Sequence, residues 1–130
     1  MRRLATEKIE EFNAYFESCP SRKLLERISN KWAVLIMSRL SERSMRYSEL
    51  SKDIAGISEK MLTQTLRALE RDGFVVRTVT PSVPPRTDYD LTESGRSLSV
   101  VITQLKSWAE THIDVIEIAQ REYDRSQSNA

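Results

Sequence analysis

Several things this sequence has little of narrow its chemistry. A single cysteine among 130 residues excludes an intramolecular disulfide and leaves a bridge between subunits or a free thiol. One histidine beside that cysteine cannot furnish a metal site of His and Cys ligands. The three glycines are scattered, so no glycine loop cradles a phosphate, and no nucleophile elbow is present. Glu10-Glu11 and the other acidic pairs read as solvated faces, so the chain is expected to be no enzyme and to need no cofactor. No apolar run approaches the roughly 20 residues that cross a bilayer. The basic start Met1-Arg2-Arg3 meets acidic residues before any signal-like segment develops, so a cytoplasmic protein is expected. Charge excess is missing too, with 20 Lys plus Arg against 19 Asp plus Glu. A nucleic-acid partner would therefore require cations gathered on one face.

What is present suits one soluble domain, with 39% hydrophobic and 30% charged residues. The chain is organised around residues 57–73. Ser58 is placed to cap a helix, Ile57 and Leu62 have the spacing of a hydrophobic staple, and Gly73 suits the left-handed position past the last turn. Leu62, Leu66 and Leu69 form one stripe; Lys60, Thr63, Gln64, Arg67 and Arg71 gather opposite. An isolated amphipathic helix of this kind usually has a merely solvated polar face, and its neighbours decide otherwise.

Ile9, Phe12 and Phe16 predict a helix over residues 6–17, interrupted at Cys19-Pro20, with Pro20 suited to the first turn of the next helix. Leu24, Leu25 and Ile28 face inward there, and Ser29-Asn30 is a break before a helix over residues 31–40 carrying Trp32, Leu35, Ile36 and Leu40. Met45-Arg46-Tyr47 allows a short strand, and Ser48 is a candidate cap for a helix over 49–54 whose core face includes Tyr47, Leu50 and Ile54. With Ala55-Gly56 as the turn, that helix and the one after Ser58 make a helix-turn-helix.

Beyond Gly73 the periodicity drops to two. Residues 74–80 and 86–91 predict a β-hairpin with a proline-rich tip, Tyr89 and Leu91 inward and Arg77 and Arg86 beside the basic helix face. Thr92 is placed to cap a long last helix. There Leu98, Ile102, Leu105, Ala109, His112, Ile116, Ala119 and Tyr123 step by four and three, with Val101 and Trp108 flanking. So long an apolar seam outruns one small core and predicts a homodimer, with Ile9, Phe12, Phe16, Leu105, Trp108, His112, Ile116 and Ala119 at its interface. His112 reads as an interface residue.

Lys31-Trp32, residues 46–50 (Arg-Tyr-Ser-Glu-Leu), residues 57–64 (Ile-Ser-Glu-Lys-Met-Leu-Thr-Gln), residues 69–73 (Leu-Glu-Arg-Asp-Gly), Pro84-Pro85-Arg86 and residues 91–95 (Leu-Thr-Glu-Ser-Gly) occur in this order. Together they resemble the HxlR-type winged helix-turn-helix transcriptional regulators of bacteria, over a stretch from Cys19 to about Trp108. Two positions depart from that pattern: Asn30 stands where glycine is common and Ala68 where glutamate is common. Asparagine tolerates left-handed turns and alanine suits a helix interior.

The resemblance implies a mainly α fold with a small β-hairpin wing, a winged helix-turn-helix with N- and C-terminal dimerisation helices. Residues 1–18 would be the N-terminal dimerisation helix, 19–91 the winged core, 92–124 the long C-terminal helix and 125–130 a frayed tail. The partner it implies is double-stranded DNA, a roughly palindromic operator. Helix 58–72 would then enter the major groove, which admits a helix and shows a distinct pattern for each base pair. Lys60, Thr63, Gln64 and Arg67 would lie nearest the bases, with Gln64 suited to adenine and Arg67 to guanine. Ser58, Arg46, Ser48 and the wing's Arg86 are candidates for phosphate or minor-groove contacts. The rival is a winged-helix module that holds a protein partner without sequence-specific DNA binding.

Cys19 carries two readings: a small buried hydrophobe, or an oxidation-sensitive thiol favoured by a helix start with Arg22 and Lys23 nearby. Some regulators that this chain resembles sense oxidants through a cysteine in this region, which adds an oxidant or small-molecule effector to the expected partners.

Overall fold

In the computed structural model, which describes residues 12–129, Pro20 occupies the first turn of α1 (Pro20–Ile28), where its missing N–H leaves no helical bond unmade. Asn30 opens α2 (Lys31–Glu42) by accepting the Trp32 N–H at 2.9 Å. Its backbone is extended (φ −64°, ψ 135°), so asparagine serves here as a cap and not as the left-handed turn residue its type allowed. Strand β1 (Met45–Arg46) runs directly into α3 (Tyr47–Asp53). Ser48 is not the cap. The helix begins one residue before it, with Arg46 in the cap position, and the Glu49 carboxylate reaches back to accept the Arg46 N–H at 2.9 Å.

A turn through Gly56 leads to α4 (Glu59–Arg71), whose start is capped by Ser58 accepting the Met61 N–H at 3.0 Å. Its end is a Schellman turn: Phe74 N–H bonds the Leu69 carbonyl at 2.9 Å and Gly73 N–H bonds Glu70 at 3.0 Å. That geometry needs φ of +82° at Gly73, which a side chain would oppose.

Strands β2 (Val75–Thr80) and β3 (Arg86–Leu91) form the predicted hairpin, paired from Val75 opposite Leu91 to Thr80 opposite Arg86. The sheet has a third member. Met45 and Arg46 pair with Tyr89 and Asp88, giving an antiparallel order β1-β3-β2 that ties the wing to the first helix of the helix-turn-helix. Alternation turns Tyr89 and Leu91 into the core.

The core gathers Ile36, Met37 and Leu40 of α2, Met45 of β1, Leu50 of α3, Leu62, Leu66 and Leu69 of α4, Val75, Tyr89 and Leu91 of the hairpin and Ile102 of the last helix, with Leu24 and Ile28 of α1 packed against it. Fully burying such a side chain stabilises the fold by about 1.5–3 kcal/mol. Helix α5 (Glu93–Ser128) starts on this core, capped by Thr92, which accepts the Gly95 N–H at 3.0 Å, and then leaves it. At 1.5 Å per residue its 36 residues span roughly 54 Å, yet only Gly95, Ser99 and Ile102 are buried.

Both ends depart from expectation. Residues 125–128 continue α5 where a frayed tail was predicted. Ile9 lies outside the described residues, and residues 12–18 form turns where the end of a dimerisation helix was predicted. The Asn13 side chain accepts the Tyr15 N–H at 2.9 Å, and its carbonyl accepts from Phe16 at 3.0 Å. Such local bonds from asparagine compete with helix formation. Among the described residues no helix is long and apolar enough to cross a membrane.

Candidate nucleic-acid interface

Helix α4 divides as its periodicity requires. Leu62, Leu66 and Leu69 are buried, while Lys60, Gln64, Arg67 and Arg71 are exposed on the other side. Thr63 differs from them. It is half-buried, with its hydroxyl 3.0 Å from the Tyr47 hydroxyl, which also donates to the Glu59 carbonyl at 3.2 Å. Tyr47 has one hydroxyl hydrogen, so the Thr63 hydroxyl donates within the pair. Thr63 thus helps hold α3 against the start of α4, and the freely presented groups are Lys60, Gln64 and Arg67.

Tyr47 is the residue that sequence reasoning undervalued. Its ring packs partly buried on the core face, while its hydroxyl braces the two helices of the motif. The available signal was its type: a tyrosine in an aliphatic stripe carries a polar tip that must find a partner.

A cleft of about 500 Å³ between the start of α3 and the wing brings Arg46 and Ser48 together with Ser82, Pro85 and Arg86. Distant stretches of sequence thereby contribute to one surface, joined through Tyr47 to α4. Arg86 is not loose on this surface. Its guanidinium grips Asp88, two residues along the same strand face, with Nε 2.9 Å from the carboxylate, and this pairing raises its pKa further. Arg77 leans toward Glu70 at 3.8 Å, and Arg43 pairs with Glu49 at 3.2 Å. Among the described residues, the side-chain cations of Arg46, Lys60 and Arg67 pair with no carboxylate. Ser58 uses its oxygen as the α4 cap and keeps its own hydrogen to donate.

Cys19 is 7% exposed and occupies the position before α1 without its side chain capping the helix. Its pKa is lowered below the ordinary 9.0, first by the Ser21 hydroxyl 3.0 Å away, against the opposing effect of burial, and then by backbone N–H groups of Ser21, Asn13 and Arg22. The Arg22 and Lys23 charges invoked from sequence are not among the causes; the donors at the helix start are. The thiol is thus buried, with its pKa held below the ordinary value.

The seam on α5 splits. Leu98 packs on, and Ile102 is buried in, the chain's own core, whereas from Leu105 onward the stripe is unpartnered among the described residues. Leu105, Trp108 and Ile116 are 56%, 55% and 39% exposed, Ala119 is exposed, and so are Phe12 and Phe16 ahead of α1. His112 stacks on Trp108 at 4.3 Å between ring centroids, with Nδ1 2.8 Å from the Trp108 carbonyl oxygen. Among the described residues no group of His, Cys, Asp and Glu is arranged to hold a metal ion.

The profile of the HxlR-like helix-turn-helix proteins matches residues 27–117. The HTH-type transcriptional regulator YtfH of Escherichia coli (strain K12) is 42% identical over 108 residues, covering 83% of this chain and 86% of the relative. Among solved structures, the transcriptional regulator ytfH from Salmonella typhimurium superposes with a TM-score of 0.81 at 41% identity, covering 85% of this chain and 98% of that one. The redox regulator HypR in its oxidized form does so with a TM-score of 0.66 at 38% identity, covering 72% and 96%.

Proposed function

The chain belongs to the HxlR-like helix-turn-helix family of transcriptional regulators, and from that premise we propose that it is a homodimer that reads a roughly palindromic operator in double-stranded DNA. The observation that carries this reading is the exposed Lys60, Gln64 and Arg67 face of α4, set beside the cleft that joins Arg46 and Ser48 to the wing's Arg86. In this arrangement Gln64 and Arg67 meet base edges in the major groove, Lys60, Ser58, Arg46 and Ser48 hold phosphates, and Arg86 serves the minor groove or backbone. Thr63 sets the angle of α4 through Tyr47.

The exposed α5 stripe from Leu105 to Ala119, with Trp108, His112 and Ile116, is the dimer surface, since apolar area on this scale marks an interface. Ile9, Phe12 and Phe16 are assigned to the same interface. Two-fold symmetry would space the two α4 helices by about one helical turn, roughly 10–10.5 base pairs, or a multiple of it. Cys19 supplies a redox response in this reading, supported by the likeness to HypR. With one cysteine per chain, an oxidant would take two electrons and two protons from two thiols, either Cys19 of both subunits or Cys19 and a small thiol. From Cys19, α1 leads to Arg27, whose guanidinium grips Asp72 at 2.8 and 3.0 Å just past α4, a route to the reading helix.

The test begins with selection of bound fragments from genomic DNA, followed by affinity measurements on the selected site. Gln64→Ala and Arg67→Ala should each weaken binding roughly ten- to hundredfold, and Lys60→Ala should reduce the salt dependence by about one unit of log–log slope, with the dimer intact. Unaltered affinity in all three would instead favour a winged-helix module for a protein partner. Oxidised and reduced wild type, with Cys19→Ser as control, tests the redox arm; equal affinity in all states removes it.

A further inference from the structure

Asp88 is an acid on the surface that would meet a polyanion, where charge alone would place none. Alternation along β3 sends Arg86 and Asp88 to the face opposite Tyr89 and Leu91. β3 is the middle strand, with Arg46 of β1 directly opposite Asp88 on one side and Thr78 of β2 on the other. The side chains of Arg46, Arg86 and Asp88 therefore share one face of the sheet. The Asp88 carboxylate is the more sheltered of the pair, 23% exposed against 47% for Arg86.

The bond pattern shows which part of Arg86 is used. Nε lies 2.9 and 3.2 Å from the two Asp88 oxygens, and Nη2 lies 3.2 Å from one of them. A guanidinium carries five N–H donors in one plane, so this pairing takes Nε–H and one Nη2–H and leaves a fork of hydrogens at the Nη1–Nη2 end. Such a fork matches two oxygens of a phosphate. Arg46, whose cation pairs with no carboxylate among the described residues, and the exposed Ser48 hydroxyl line the same cleft of about 500 Å³. A loose surface arginine would give up its rotamer freedom on meeting a phosphate. Arg86 has already given it up to a carboxylate fixed on a central strand.

We propose that Asp88 is a positioning residue for DNA: it fixes Arg86 so that the free Nη1–Nη2 edge, together with Arg46 and the Ser48 hydroxyl, receives one backbone phosphate in the cleft between the wing and α3. Arg86 is thereby assigned to the backbone and not to base edges of the minor groove. As a contact to DNA this rests on the regulatory reading above.

Affinity for the selected operator is measured against salt concentration for the wild type, Asp88→Asn, Arg86→Ala, Arg86→Lys and the Asp88→Asn, Arg86→Ala double variant. Asp88→Asn removes a negative charge from the DNA face, so charge alone predicts tighter binding; positioning predicts binding about fivefold weaker, the worth of one hydrogen bond. Arg86→Ala should lower the log–log salt slope by about one unit, and in that background Asp88→Asn should weaken nothing further. Arg86→Lys, which keeps the charge and lacks the fork, should keep the slope and bind about fivefold more weakly. A scan of single methylphosphonate links should find one phosphate in each half-site whose neutralisation weakens the wild type and leaves Arg86→Ala unchanged. Equal or tighter binding by Asp88→Asn, the same loss in both backgrounds, undiminished binding by Arg86→Lys, or no such phosphate would each overturn the assignment, while losses in Gln64→Ala and Arg67→Ala would still uphold base reading by α4. A wild type that binds no genomic fragment would overturn the DNA reading itself and this assignment with it.

Discussion

Gly95→Ala adds one methyl group to the first turn of α5, and helix propensity taken alone favours it by up to about 1 kcal/mol. In the fold that methyl would run into the Phe74 carbonyl oxygen and stand 3.0 Å from its carbon, with Leu91 Cδ2 at 3.3 Å. The first two are backbone atoms and cannot rotate aside. The same Phe74 oxygen accepts the Thr92 N–H at 3.0 Å, and the Thr92 hydroxyl bonds the Gly73 carbonyl, so lifting α5 clear also strains the bonds that seat it. Overpacking costs about 1–3 kcal/mol and a lost hydrogen bond about 1 kcal/mol. Against the propensity gain, the net expectation is a destabilisation of about 1–3 kcal/mol. Urea denaturation of both proteins at one shared concentration, which the proposed dimer would require, should show a lower midpoint for the variant with an unchanged slope. A variant as stable as wild type, or more so, would refute the close approach of α5 to the α4–β2 junction.

Four other outcomes follow from the same geometry. The Glu49 carboxyl is held below its ordinary 4.5, first by the Arg46 N–H and then by Arg43, so its contribution is present above the unfolded pKa and is lost as pH falls through the lower folded value. Carbon-detected titration should place its midpoint below 4.5, Glu49→Gln should lessen acid sensitivity below that pH, and a midpoint at or above it would count against the cap. Alkylation of Cys19 should follow a pH profile with its midpoint below 9.0 and shift upward in Ser21→Ala; an unmoved midpoint would remove Ser21 as the cause. Leu66→Ala, at a site 2% exposed, should cost about 2–5 kcal/mol in thermal or chemical unfolding, and a loss under 1 kcal/mol would contradict its place in the core. If the chain dimerises as proposed, Leu105→Asp, at a site 56% exposed in the single chain, should shift sedimentation toward the monomer; an unchanged dimer would move the proposed interface off α5.

Much of the fold was legible because its signals are local. Pro20 and Ser58 mark helix starts, Gly73 a helix end, and the stripe of Leu62, Leu66 and Leu69 an inward face, each through chemistry within one or two turns of the chain. Local signals also misled. Ser48 has the side chain of a cap, yet pairing of Met45 and Arg46 with β3 moves the boundary back and gives that role to Arg46 and Glu49. Phe12 and Phe16 have helical spacing, but Asn13 between them folds the backbone into turns.

The candidate site was legible as a roll of residue types and not as a surface. That Thr63 is engaged by Tyr47, that Arg86 is held by Asp88, and that Cys19 is acidified by Ser21 and not by neighbouring cations are facts of distance between side chains. The sequence by itself determined which faces are apolar, where most helices begin and end, and that a basic α4 face exists, because propensity, capping and periodicity act over a few residues. Only the tertiary structure decided which polar groups remain free and why position 95 must be glycine, because each depends on contacts between segments that the chain brings together only when it folds.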